Sequence, residues 1–161
     1  MLPGRIGSRI TAAPLKDPST PRPVFCYGTL MSPEIWGNTM TQFGSGLDAR
    51  LPDGVPAQLM DFRRHRIIGA QYPGIIPAKG HSVRGRLTYV GNHEHVKVLD
   101  FFEGADYERT TVAVVILDGP NTGTQVEADV YVWIGGLECI GPGDWDADKF
   151  LRSQASKFTQ Y

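Results

Sequence analysis

Turn and breaker residues crowd residues 51–82, so the elements expected there are short: Pro52-Asp53-Gly54, Pro56, Pro73-Gly74, Pro77 and Lys79-Gly80 all interrupt the chain. The pieces between them, residues 57–60, 62–68 and 74–77, read as short strands. Residues 83–90 then alternate: Val83, Gly85, Leu87 and Tyr89 share one face, and Arg84, Arg86 and Thr88 the other. That is the pattern of a strand with one wet face.

The flanks add helices and further strands. Val24-Phe25-Cys26-Tyr27 is an apolar run that breaks at Gly28, consistent with a buried strand. Ser32, Pro33 and Glu34 form a helix start, with a cap, a first-turn proline and an acid at the positive end of the dipole. That helix is expected to run to about Gln42 and to end at Gly44 and Gly46. Asn92 is the next cap candidate, ahead of a helix that aligns Val96, Leu99 and Phe102 and stops at Gly104 as a left-handed C-terminal residue. Residues 110–117 and 127–134 read as strands of a hairpin, joined through Asp118-Gly119-Pro120-Asn121-Thr122-Gly123. A last helix is expected over residues 146–158, packing through Phe150, Leu151 and Phe158. About seven short strands and three short helices interleave irregularly. This speaks against a doubly wound parallel sheet and for a single compact α+β domain with a mixed, curled sheet.

With 161 residues, 41% of them hydrophobic, the chain suits one domain with a sizeable core. A formal net charge of -1 gives no case for nucleic-acid or acidic-membrane binding. No apolar run is long enough to span a bilayer. Cys26 and Cys139 lie far apart, with neither metal-ligand nor disulfide-framework spacing. A reducing compartment, the cytoplasm, is the simplest location. Residues 1–22 differ from the rest: four prolines, and Arg5, Arg9, Lys16 and Arg22 against Asp17. They read as a flexible or surface-draped arm, with residues 23–161 as the domain. A basic, acid-poor start also has the look of an organelle transit peptide, although its prolines disfavour an amphipathic helix.

Glu103 follows two phenylalanines at a helix-to-strand junction. A carboxylate poorly solvated beside apolar rings favours its neutral form and becomes basic enough for proton transfer near neutral pH. The plain alternative is a solvated helix-end residue. Tyr27-Gly28-Thr29-Leu30 runs from a strand end into a helix N-terminus, where successive N–H groups can hold an anion such as a substrate carboxylate. The alternative is an ordinary βα turn. His93 and His95 lie two apart on a helix, do not face each other, and read as solvated residues of its first turn rather than as metal ligands. Arg63-Arg64-His65-Arg66 reads as the wet face of a strand, and Cys26 as a structural cysteine rather than a nucleophile. Tyr131, Trp133 and Trp145 read as core or pocket wall.

Five segments together resemble the gamma-glutamylcyclotransferase superfamily, in particular its AIG2-like branch. They are Tyr27-Gly28-Thr29-Leu30 with Met31-Ser32-Pro33-Glu34, Tyr72-Pro73-Gly74-Ile75-Ile76-Pro77, Val83-Arg84-Gly85-Arg86-Leu87, Leu99-Asp100-Phe101-Phe102-Glu103-Gly104 with Tyr107-Glu108-Arg109, and Val130-Tyr131-Val132-Trp133. The resemblance covers roughly residues 24–150. It implies a curled, barrel-like sheet with a pocket at one end and no metal or organic cofactor. It also implies that Glu103 is the catalytic glutamate, and that Tyr27, Gly28, Thr29 and Leu30 hold a small-molecule gamma-glutamyl substrate. Tyr72 and Tyr107 are taken as further substrate contacts. For Tyr107, as for Arg109, a scaffold role at the start of a strand stands beside the pocket role. Gly74 stands where relatives often carry alanine, which would loosen the pocket wall. The reaction implied is cyclisation of a gamma-glutamyl group to 5-oxoproline with release of an amine or amino acid. A noncatalytic module that keeps the fold and binds a metabolite or protein is the alternative.

Overall fold

The computed structural model describes residues 9–11, 22–44, 46–90 and 93–159, with side chains placed for 22–44, 46–90 and 93–154. Its elements are β1 (Arg9–Thr11), β2 (Arg22–Cys26), α1 (Pro33–Phe43), β3 (Gly54–Arg66), β4 (Pro73–Val90), α2 (His93–Glu103), β5 (Tyr107–Ile116), β6 (Gln125–Trp133) and α3 (Ala147–Thr159). Short 3-10 turns occupy Thr29–Met31, Gly104–Asp106 and Leu137–Cys139. The sheet order is β1-β5-β3-β4-β2-β6, and a further pairing of β5 with β6 closes the last five strands into a barrel. Every ladder is antiparallel except the β2–β6 seam, where Val24 faces Asp129. β1 laps onto β5 at residues 110–112, beyond the stretch that β3 pairs. Arg9–Thr11 and Arg22 are thus the parts of the expected arm that are described.

Two strands are much longer than their turn signals suggest. The four short pieces expected between residues 57 and 90 fuse into β3 and β4, giving six strands rather than about seven. The fusion runs through a bulge. Pairing moves from Met60↔Ser82 to Phe62↔Pro77, so Asp61 on β3 faces residues 78–81 of β4. Asp61 (φ 65) and Gly80 (φ 84) both take left-handed backbone there, and the Asp61 carboxylate accepts the Gly80 N–H at 3.1 Å. Lys79-Gly80 therefore kinks a continuous strand instead of ending one, and Pro77 borders the kink, where a missing donor is tolerated.

Period-two alternation divides the core in two. Phe25, Leu59, Phe62, Ile75, Leu87, Val112, Val130 and Val132 fill the barrel. Val24, Cys26, Val90 and Tyr131 point outward instead, beneath Trp36 and Met40 of α1 and Val96 and Leu99 of α2. β2 is buried on both faces, which is why its sequence is a continuous apolar run. The same cover alters β4. Thr88, expected on the wet face, is fully buried and donates to the Pro52 carbonyl at 3.0 Å, whereas Tyr89 is exposed.

α1 begins as its sequence dictates. Ser32 is fully buried, and its hydroxyl accepts the Ile35 N–H at 3.3 Å and donates to Glu34 at 2.8 Å. Ser32→Ala is expected to cost about 1 kcal/mol. Thermal denaturation would register this as a Tm lower by roughly 2–4 °C; an unchanged Tm would remove the cap from the account. The Asn92 cap expected for α2 lies outside the described residues. Gly104 leaves that helix at φ 72, the left-handed turn expected of it.

Candidate active site

The first turn after β2, the start of β4, the end of α2 and the start of β5 meet at one end of the barrel. They enclose a cavity of about 250 Å³ whose walls include Tyr27, Gly28, Thr29, Leu30, Tyr72, Pro73, Phe102, Glu103, Tyr107 and Tyr131. Glu103 is the last residue of α2, and the left-handed Gly104 swings the chain away so that Tyr107 opens β5 beside it. Burial, and then repulsion from Asp100 one helical turn earlier, raises the Glu103 carboxyl from 4.5 to about 8. The negative end of the helix dipole works in the same direction. Burial, and then the Glu103 charge, raises Cys26, Tyr27 and Tyr107; Tyr131 is raised by burial and by Asp100 ahead of Glu103. These four and Glu103 all line the cavity.

Three of the four tyrosines around Glu103 spend their hydroxyls on the protein. Tyr27 donates to the Tyr131 carbonyl, Tyr107 to the Pro73 carbonyl at 2.6 Å, and Tyr131 to Asp100 at 2.8 Å. They present ring surface to the cavity, while Tyr72, 42% exposed, stands at its rim, 6.4 Å from the Tyr107 ring. On the opposite wall the Thr29–Met31 turn uses the Met31 and Ser32 N–H groups for its own bonds. The N–H groups of Thr29 and Leu30 have no role in closing that turn. Gly28 lies against Pro73: a methyl in its place would come within 3.0 Å of the proline ring.

A family model described as "Gamma-glutamyl cyclotransferase, AIG2-like" matches residues 24–147. The chain belongs to this family. AIG2-like protein D of Arabidopsis thaliana is 32% identical over 135 residues, covering 84% of this chain and 82% of its own. A solution structure from Arabidopsis thaliana aligns at TM-score 0.65 and 26% identity, over 91% of this chain and 82% of the other. A crystal structure of an AIG2-like protein from Mus musculus aligns at TM-score 0.56 and 25% identity, over 74% and 82%. The closed, mixed barrel with its helices is thus the fold of the AIG2-like family.

Within this AIG2-like chain the structure brings Tyr27, Gly28, Thr29, Leu30, Tyr72, Glu103 and Tyr107 around one cavity. Several details differ from the expectation. Phe101 does not shield Glu103: it is 69% exposed and packs on Phe43, 5.0 Å away on the outer surface. A helix turns about 100° per residue, and the ring that reaches the cavity is Phe102. Gly74 loosens nothing, because the Trp133 side chain occupies its flank; a methyl there would sit 2.9 Å from the Trp133 Cβ. His95 is buried rather than solvated, its ring 3.1 Å from the Asp48 carbonyl. Arg109 turns to Asp100 at 3.0 Å and to Asp129 at 2.9 Å, so its charge is committed to the scaffold. The Cys26 thiol is pushed up to about 12, chiefly by burial, and stays protonated at neutral pH. Asp106 and Tyr131 also line the cavity. The sequence marked Tyr131 only as core or wall, and Asp106 carried no signal beyond its closeness to Glu103. Among the described residues no three His, Cys, Asp or Glu side chains gather as a metal-binding group, and no helix is long and apolar enough to cross a membrane.

Proposed function

We propose that this chain is a gamma-glutamyl cyclotransferase with Glu103 as its general base and acid. The observation that supports this reading is the meeting of a buried carboxylate, raised to about 8, with an N–H-bearing turn across one small, largely aromatic cavity. The substrate's α-ammonium shares its carbon with a free carboxylate and so titrates above the roughly 7.7–8.0 of a peptide α-amino group. Raising Glu103 from 4.5 to about 8 brings the two groups much closer together and lowers the cost of moving the proton, as acid–base catalysis requires.

In the proposed reaction Glu103 removes a proton from the α-ammonium, and the free amine attacks the γ-carbonyl of the same residue. The tetrahedral oxyanion collapses and the bond to the leaving nitrogen breaks. Glu103-H gives its proton to that nitrogen and, again a carboxylate, takes the surplus proton from the ring nitrogen. 5-Oxoproline and a neutral amine depart, and Glu103-H then releases that proton to solvent. Holding amine and carbonyl in contact supplies on the order of 7–11 kcal/mol in favourable cases. The aromatic walls suit that task, Tyr27 to Leu30 take the negative charge of the glutamyl group, and Tyr72 and Tyr107 pack against its chain. The test is a panel of gamma-glutamyl amino acids and amines assayed for 5-oxoproline release. Turnover of at least one member is expected. No turnover across a broad panel by folded protein would replace this reading with a metabolite- or protein-binding module.

A further inference from the structure

Arg64 sits in a charged run of β3 that reads as solvent-facing, yet its side chain is only 12% exposed. Its Nη1 donates to the Tyr27 carbonyl at 2.9 Å. Its Nε and Nη2 donate to the two carboxylate oxygens of Asp144 at 2.8 and 3.2 Å. The guanidinium lies 5.5 Å from the centre of the Trp145 ring, and Trp145 is itself tied to the Gln71 carbonyl at 2.8 Å. Four directed contacts thus fix a rigid, planar cation against the first peptide of the turn that lines the cavity.

A planar trans peptide points its carbonyl and its N–H in opposite directions. Arg64 is not among the cavity's lining residues, whereas Gly28 is. Holding the Tyr27 carbonyl outward therefore directs the Gly28 N–H inward. Rotation of that peptide would aim a carbonyl oxygen into the cavity and repel an anion. The described lining contains Glu103 and Asp106 but neither lysine nor arginine, so a substrate carboxylate there relies on uncharged donors, the backbone N–H groups of the turn and the hydroxyls of Thr29 and Tyr72. We propose that Arg64 is a positioning residue: through the Tyr27 carbonyl it aims and polarises the Gly28 N–H to receive the α-carboxylate of a gamma-glutamyl substrate. This rests on the cyclotransferase reading.

The test is an amide-resolved NMR titration of the full chain with L-5-oxoproline, the expected product, and with 2-pyrrolidone, the same lactam without its carboxylate. In the wild type, 5-oxoproline is expected to move the Gly28 amide proton downfield. Arg64→Gln should weaken 5-oxoproline binding about tenfold or more, the effect of losing a hydrogen bond to a charged group, and should abolish that shift. Its effect on 2-pyrrolidone should stay within about twofold. Arg64→Lys, which keeps the charge, should recover part of the loss. Asp144→Asn, at a side chain 59% exposed, should weaken 5-oxoproline in the same direction and decides the matter if Arg64→Gln does not fold. Wild-type affinity and an unchanged Gly28 shift in these variants would overturn the proposal, as would equal loss of both lactams. If Glu103→Gln is inactive in that case, the cyclotransferase reading survives alone. A wild-type protein that does not bind 5-oxoproline, with no turnover across the panel, sinks both.

Discussion

Glu103→Gln is expected to reduce 5-oxoproline release by about 10²–10⁴-fold, the usual worth of a positioned acid–base group, and to make the protein more stable in alkaline solution. Both effects share one cause. Burial and Asp100 raise the Glu103 carboxyl from 4.5 to about 8, so the folded protein keeps a proton that the unfolded chain releases. Between those values the native state binds more protons, and stability falls as pH rises. Below pH 4.5 both states are protonated and the term vanishes; above pH 8 it is fully present, on the order of a few kcal/mol. Glutamine carries no such penalty. Denaturant unfolding at pH 5 and pH 9 should show the variant gaining on the wild type mainly at pH 9. The wild-type kcat/KM profile should rise through an acidic limb near pH 8, since ionised Glu103 is the active form. A variant that turns over at the wild-type rate would strip Glu103 of its role. One whose stability advantage is the same at both pH values would remove the buried charge from the explanation.

Much of this arrangement was legible in the chain, because local rules govern the parts concerned. Ser32-Pro33-Glu34 starts a helix by capping chemistry alone, and Gly104 ends one because its φ of 72 suits glycine. Glu103 and the Tyr27–Leu30 turn were both visible as candidates, but their meeting depends on barrel closure between residues far apart in sequence. The unseen features all depend on neighbours distant in the chain. Lys79-Gly80 reads as a turn in isolation and becomes a bulge only because β3 and β4 pair on both sides of it. Phe101 and Phe102 are equivalent in composition, and only the phase of α2 decides which ring reaches the cavity. Arg64 is one cation in a run of basic residues until Asp144 and Trp145, 80 and 81 positions later, fold over it.

Asp129→Ala is expected to be the most destabilising of these substitutions, by about 3–5 kcal/mol, because it removes the anion from a buried charge cluster at the seam that closes the barrel. Asp129 is 2% exposed and faces Val24 across the parallel β2–β6 pairing. Arg22 of β2 grips its carboxylate with two nitrogens, Arg109 of β5 donates at 2.9 Å, and Thr111 donates at 3.0 Å. Without the carboxylate, two guanidinium groups with side chains only 23% and 20% exposed are left facing each other. Arg109 also bonds Asp100 on α2, and Asp100 accepts the Tyr131 hydroxyl, so the cluster reaches the helix that ends in Glu103. The variant should therefore unfold at a lower urea concentration. It should also lose kcat/KM at concentrations where it is still folded, because the end of α2 is less firmly held. Asp129→Asn keeps the volume and one acceptor but sets an amide donor against guanidinium donors, so it should fall between alanine and the wild type. If Asp129→Ala unfolds at the wild-type midpoint, the seam is held by the β2–β6 ladder and the two apolar cores alone. Arg109 would then act on α2 through Asp100 alone, and no link between barrel closure and the position of Glu103 would run through Asp129.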